Sequence, residues 1–390
     1  MKGRKNIIIL NYIIFLIIKT DLTIYLIQKN NQIQRQFINI IETPNDIPEK
    51  KEKLYISIDF GNYKTGFAYK FGENNNDIHI GKMQSIRSVV VLNKKNYMGK
   101  NYGWQSIHSI SNYKKEELDQ LIFVDNLKLS LFNKTMNKNL EKKDILNLDK
   151  IHKKGIIEFL RLFSDDALKE INFLIENEND KYIKDEVNWI ISAPKFWDDY
   201  SKLNLIKLSK KAGLKNIDLV LESEAASVAM IQDKLIDSKI IKEGNIYMLL
   251  DIGEYKLDIT INQIIDSFRN IKILSGSIGD TYGSMNINND LIDKIKFIMG
   301  NDTLKNAKEK KLGEYLETLG DIENIKKKFN GNEKNNFEIY AKFGRENKSV
   351  FEKNEFLKKY IYPIYNYFYP KVENNIPGIS FNDFKIFISG

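Results

Sequence analysis

Asp59-Phe60-Gly61-Asn62-Tyr63-Lys64 recurs as Asp251-Ile252-Gly253-Glu254-Tyr255-Lys256, 192 residues further along the chain. Each copy lies between two apolar runs. Leu54–Phe60 (LYISIDF) precedes the first and Gly66–Phe71 (GFAYKF) follows it. Ile246–Asp251 (IYMLLD) and Leu257–Asn262 (LDITIN) frame the second. Strand-like runs joined by a short glycine-containing turn predict β-hairpins. A spacing of 192 residues is about one domain and too long for a solenoid repeat. The pair predicts two similar lobes, each opening on a hairpin with Asp-x-Gly at its turn.

That turn chemistry suits an anion and its cation. Glycine lets a backbone N–H approach closely because no Cβ intervenes, and successive turn N–H groups make an anion-binding nest. Gly61, Asn62 and Tyr63 form one candidate phosphate turn, and Gly253, Glu254 and Tyr255 the other. An aspartate at the strand end would repel phosphate directly but can hold Mg²⁺ through water, which makes Asp59 and Asp251 the candidate metal residues. Either Asp-x-Gly alone would pass for an ordinary turn. The pair, each behind an apolar strand and before another, points to two lobes clamping a nucleotide.

The whole chain has 390 residues, enough for two or three core units. With 42% hydrophobic and 29% charged residues it reads as a folded globular protein. It contains no cysteine, which excludes disulfides, thiolate zinc sites, iron–sulfur clusters and cysteine nucleophiles. His79, His108 and His152 lie far apart and carry no ligand spacing. The net charge of +8 comes from lysines spread over the chain among Asn, Ile and Tyr, residues that share A/T-rich codons. No recognition motif accompanies them, so nucleic acid is not an expected partner.

Lys2, Arg4 and Lys5 precede an apolar run from Ile7 to Ile18 broken only by Asn11. This has the form of a signal or anchor, yet it falls short of the ~20 residues that span a bilayer. Extending it to Ile27 takes in Lys19 and Asp21, and no small-x-small cleavage site follows. An unprocessed leader or a gene-model artefact are the other readings. A cytoplasmic location is expected, with residues 7–27 the one feature that would bring the chain to a membrane. Gln28–Lys53, polar with Pro44 and Pro48, reads as a linker. The expected division is 1–53 leader and linker, 54–240 lobe I, 241–390 lobe II. Phe384–Ile388 is a buried-strand pattern followed only by Ser389-Gly390, so lobe II is expected to be incomplete and poorly stable alone.

Between the hairpins the pattern is α/β. Glu186–Ser192 predicts a strand. Ser201–Ala212 predicts a helix capped at Asp199/Ser201, stopped by Gly213, with Leu205, Leu208 and Ala212 inward. Glu222 opens a second helix with Ala225, Ala226 and Ala229 suited to close packing. Asn301–Asn330 predicts a lysine-rich helical stretch.

Five motifs in order resemble the seventy-kilodalton heat-shock proteins of the actin/sugar-kinase ATPase superfamily, nearest the divergent heat-shock 70 kDa protein 12 branch. They are Asp59-Phe60-Gly61 with Gly66-Phe67-Ala68-Tyr69, the segment Trp189 to Asp199 (WIISAPKFWDD), Leu221-Glu222-Ser223-Glu224-Ala225-Ala226-Ser227, Gly279-Asp280-Thr281-Tyr282-Gly283-Ser284, and Phe387-Ile388-Ser389-Gly390. The resemblance runs from Leu54 to the end. It implies an α/β, two-lobed actin-like ATPase of ribonuclease H-like type, with ATP or ADP and Mg²⁺ as cofactors. It implies catalytic roles for Lys128 beside the γ-phosphate, Glu222 ordering magnesium or the attacking water, and Asp251. It places Gly279, Asp280, Gly283 and Gly390 against the nucleotide, with Glu323, Lys326 and Lys327 gripping adenosine. A solvated Glu–Lys helix face is the plainer account of that last trio.

The departures bear on activity. Glu254, Tyr255 and Lys256 stand where the family has Gly-Gly-Thr, and Asn286 and Asn288 where acidic positions are common. Slow Mg-dependent ATP hydrolysis is the expected activity. A non-hydrolysing nucleotide-binding scaffold, a sugar kinase lacking a convincing acceptor base, and an inactive fragment compete with it. Co-chaperones and client proteins are partners in the family, but no residue here identifies one, and work on clients is not expected to be encoded in these 390 residues.

Overall fold

The computed structural model describes residues 52–73, 77–132, 142–232, 243–255, 257–266, 270–274, 278–280, 283–299, 305–306, 312–328, 338–339, 348–349 and 385–389. The leader, Lys256, Thr281, Tyr282 and Gly390 lie outside them, as do the side chains of Lys326 and Lys327.

Leu54–Phe60 (β1) and Lys64–Phe71 (β2) form the first hairpin. Its turn is shorter than expected, because Gly61 N–H donates to the Lys64 carbonyl at 3.1 Å and β2 starts at Lys64. A Cβ on Gly61 would lie 2.3 Å from that carbonyl oxygen, so only glycine fits the closure. His79–Ile80 (β3) and Ile86–Arg87 (β4) pair with β2. Val90–Asn93 (β5), Gly99–Tyr102 (β6) and Leu121–Val124 (β7) make a small sheet in the order β6-β5-β7. Helices Gly103–Asn112 (α1), Lys115–Leu118 (α2), Leu129–Phe132 (α3) and Lys142–Phe173 (α4) follow. Asn188–Ala193 (β8), Asp199–Lys211 (α5), Asn216–Leu221 (β9) and Glu222–Gln232 (α6) complete the first half. The main sheet runs β3-β2-β1-β8-β9, with β8 parallel to β1 and β9 parallel to β8.

The second half starts with the hairpin Ile246–Ile252 (β10) and Leu257–Asp266 (β11). Asn270–Ile273 (β12) and Ile278–Asp280 (β13) pair with β11. Ser284–Met299 (α7) and Leu312–Lys328 (α8) are helices of its described part, α8 holding most of what is described of the lysine-rich stretch. Glu338–Ile339 (β14) pairs with Lys348–Ser349 (β15). Lys385–Ser389 (β16), the terminal strand expected from the sequence, lies parallel to β10. The repeat thus extends to topology, since each hairpin's first strand takes a parallel neighbour on its other edge. It extends to register as well, with Asp59 opposite Gly66 and Asp251 opposite Asp258.

The core of the first half explains why β1 is held rigidly. Leu54, Ile56, Ile58 and Phe60 are wholly buried. Ile156, Phe159, Phe163 and Ala167 recur on one stripe of α4 and cover them. The Phe60 and Phe159 rings lie 5.9 Å apart and those of Phe67 and Phe163 6.1 Å apart. Each such side chain contributes about 1.5–3 kcal/mol on burial. In α5 the expected inner face Leu205, Leu208 and Ala212 is buried, with Gly213 left-handed at φ +98° behind it. The cap sits one residue earlier than expected. Asp198 is extended, and its Oδ1 accepts from Ser201 N–H at 2.7 Å. β8 also starts later than expected, because Lys184–Glu186 forms a 3₁₀ turn in which Glu186 accepts from Ile183 N–H at 3.1 Å. The two halves touch along an apolar seam where Leu316 of α8 packs among Val89, Val91, Ile107 and Ile110. Among the described residues, no helix is long and apolar enough to cross a membrane.

Candidate functional site

Asp59 sits at the end of β1, one residue before the last, where the buried strand fixes its position. Its Oδ1 accepts from Ser192 Oγ–H at 2.9 Å, a bond from the neighbouring strand β8. Burial pushes its pKa up to about 6. Lys128 opposes the rise, the nearby Glu222 adds to it, and the Ser192 bond opposes it. Asp251, its counterpart in β10, is likewise driven well above the usual carboxylate range by burial and then by Glu222, Asp258 and Asp59, with Lys128 opposing. The two hairpin aspartates therefore lie within electrostatic reach of one another, across the junction of the two halves.

Lys128 and Glu222 join them. Lys128 lies between β7 and α3, in a loop bent by Asn126 at φ +52°. Its side chain is 5% exposed and that of Glu222 16%. Lys128 Nζ donates to Glu222 Oε1 at the start of α6. Lys128 Nζ also stands 6.0 Å from the centroid of the Trp197 ring. The structure thus brings together Asp59, Lys128, Glu222 and Asp251. It adds Asp258 of β11, which the sequence reading passed over as a strand residue. The signal for it was present: Asp258, Thr260 and Asn262 alternate, and all three are buried, a polar face where an apolar one would be ordinary.

The second turn is packed differently from the first. Gly283 lies directly on it, since an added Cβ would meet the Glu254 carbonyl oxygen at 2.3 Å. Ser284 N–H donates to the Gly253 carbonyl at 3.0 Å and Met285 N–H to that of Glu254 at 2.7 Å. The first amides of α7 are therefore spent on the turn. Tyr255 O–H donates to Asn126 Oδ1, a bond from the second half to the loop that carries Lys128. Gly279 and Asp280 lie in β13, opposite Asp258 and Leu257 of β11. Glu323 is apart from this group. It is buried between α7 and α8, where its Oε1 accepts from Asn288 Nδ2–H at 2.5 Å. Lys326 and Lys327 fall in the last turn of α8.

Whether the group suits magnesium is answered by its donors. Four carboxylates, Asp59, Glu222, Asp251 and Asp258, outnumber the ammonium groups of Lys128 and, on the Asp258 side, Lys195, and the two hairpin aspartates are pushed toward protonation. A hydrated divalent cation would reverse that push. In the first turn, the buried Asn62 Oδ1 has no hydrogen-bond partner among the described residues, and a metal-bound water is the kind of donor it lacks. No three His, Asp or Glu side chains among the described residues converge tightly enough to ligate a metal directly. The set fits an ion held through its waters.

No protein-family model matches the chain. It is 20% identical over 355 residues to Heat shock 70 kDa protein 12A of Homo sapiens, covering 73% of this chain and 52% of that protein. The Mus musculus protein of the same name is also 20% identical, over 358 residues and the same 52% of its length. The chain spans about half the length of the curated relatives it matches. Among solved structures, MreB 5 of Spiroplasma citri bound to AMPPNP superposes with a TM-score of 0.50 at 13% identity, over 85% of this chain and 81% of that one. MreB5 bound to ADP gives 0.49 at 14% identity, over 87% and 85%. The chain has the actin-like ATPase fold, and its sequence is distantly related to Heat shock 70 kDa protein 12A.

Proposed function

We propose that this chain binds an adenine nucleotide with Mg²⁺ at the junction of two lobes, residues 54–240 and 241–390, and hydrolyses ATP slowly. The observation that carries the reading is the convergence of Asp59, Lys128, Glu222 and Asp251 from four separate segments. A buried, mutually repelling carboxylate set that outnumbers its lysines has no stabilising value of its own; a cation and a polyphosphate would give it one. The AMPPNP held by the Spiroplasma citri protein supports this for a chain of the same fold.

Asp59 and Asp251 would hold the ion through water, and the ion would neutralise phosphate charge. Turn amides at Gly61–Tyr63 and around Gly253 would cradle the phosphates. Lys128 is placed to stabilise charge on the transferring phosphoryl group. Its partner Glu222 fixes the ammonium and can accept a hydrogen bond from the attacking water.

A non-hydrolysing scaffold is the second reading, favoured by one observation. Tyr255 is bonded to Asn126 where the family has glycine, so a side chain rather than an open backbone meets the phosphate turn. Single-turnover phosphate release by the full chain separates the two, run with and without a small-sugar acceptor. Slow release that is independent of sugar, and at least tenfold slower in Lys128→Ala with nucleotide still bound, is expected of an ATPase. No release at saturating Mg·ATP would leave the scaffold.

A further inference from the structure

Arg87 belongs to none of the motifs described above, yet its side chain is held beside the first turn. Its backbone is fixed on several sides. It pairs with Lys64 in the β4–β2 ladder. The next residue, Ser88, donates its N–H to the Tyr63 carbonyl at 2.9 Å and shares a hydroxyl contact of 2.9 Å with Thr65. Trp104 Nε1–H donates to the Ser85 carbonyl at 2.9 Å, which anchors the strand from the other side.

The side chain then enters an aromatic slot. Its guanidinium carbon stands 3.5 Å from the centroid of the Tyr63 ring and 5.9 Å from that of Trp104. Stacking engages the guanidinium face and leaves the planar fork of N–H donors at its edge. One of these, Nη1–H, makes a long contact of 3.5 Å to the Tyr63 carbonyl. Among the described residues, no carboxylate forms an ion pair with Arg87, whereas Lys128 is already paired with Glu222. Across the junction, Arg87 and Glu254 act with opposite sign on the hydroxyl of Tyr255. Arg87 and Glu254 thus both lie within electrostatic reach of Tyr255 in the second turn.

We infer that Arg87 is a phosphate-binding residue, a guanidinium fork preset by Tyr63 to take the phosphate chain of the nucleotide at the first turn. This rests on the nucleotide reading above. A fork matched to phosphate oxygens suits a pre-stacked arginine better than a flexible lysine.

The full chain and its Arg87→Gln and Arg87→Lys variants are titrated calorimetrically with ATP, ADP and adenosine. Arg87→Gln, which keeps a planar group over Tyr63, is expected to weaken ATP at least tenfold and ADP less, leaving adenosine within twofold. Arg87→Lys keeps the charge without the fork and should lose about threefold for ATP alone. Equal losses for all three ligands would make Arg87 a brace for the turn and overturn the inference, as would unchanged ATP binding in either variant. Should Arg87→Gln fail to fold, Arg87→Lys decides on the same ATP-to-adenosine comparison. If the unaltered chain binds none of the three ligands, the nucleotide reading fails first, and this inference falls with it.

Discussion

Asp59 carries an electrostatic signature that a titration can read. With its folded pKa raised from 3.8 to about 6, the carboxyl holds a proton in the folded chain that the unfolded chain has already lost. Its contribution to stability is fully present below pH 3.8 and is lost as pH rises through 6. Without metal, the folded state at pH 7.5 therefore bears a penalty of at most ~3 kcal/mol from this group. Asp59→Asn, whose Oδ1 can still accept from Ser192, should melt about 2 °C or more above the unaltered chain at pH 7.5 without magnesium. The difference should vanish near pH 4, and a thermal melt at the two pH values reads it. Asp251→Ala should weaken Mg-dependent nucleotide binding more than Mg-free binding. Equal loss with and without magnesium, by calorimetry, would remove the metal-organising role. These two aspartates were legible in the sequence because each closes an apolar strand before a glycine. Lys128 and Glu222 were legible only through the family's motifs. Asp258, Asn126 and Arg87 were not found, because each gains significance from distant segments: Asp258 joins a group completed by Glu222 and Asp59, Asn126 meets Tyr255, and Arg87 stacks on Tyr63.

At the scale of elements, the hairpins and the α5 face could be read directly, since alternation and the 3.6-residue period need no distant partner. The boundaries could not. Asp198 takes the cap from Asp199, and the first turn tightens onto Lys64, because a single backbone hydrogen bond decides each. That tightening makes Gly61 a sharp test. Gly61→Ala forces a Cβ to within 2.3 Å of a backbone oxygen, and should destabilise the chain by about 2 kcal/mol or more in denaturant unfolding. Gly320, in the interior of α8, has nothing within 4 Å of an added Cβ. Gly320→Ala should stabilise by about 0.5–1 kcal/mol through helix propensity alone. If both glycines behave alike, the close approach at Gly61 is not what shapes the turn.

Over the whole molecule, contacts that tie the described parts of the halves together beside the carboxylate group include the Tyr255–Asn126 bond, the Asn262–Ser227 bond and the apolar seam around Leu316. The second turn bears one of them, so Tyr255, which would crowd the proposed phosphate site, also helps hold the halves together. A carboxylate about 4 Å from a phosphate charge is repelled by roughly 4 kcal/mol at an effective dielectric near 20, which would leave binding weak but retained and hydrolysis slow. Replacing Glu254-Tyr255-Lys256 by Gly-Gly-Thr should raise single-turnover hydrolysis at least tenfold, a change of only about 1.4 kcal/mol in the barrier. An unchanged rate at saturating ATP would mean that the departure is neutral. The central claim, that the paired hairpins form one nucleotide site, is tested most directly by titrating ATP into the full chain with and without Mg²⁺, beside an Asp59→Asn/Asp251→Asn double variant. The account predicts one-to-one binding that magnesium tightens in the unaltered chain and leaves unchanged in the variant. Binding that magnesium tightens equally in both would place the nucleotide's metal elsewhere, and no binding at millimolar ATP would contradict the account outright.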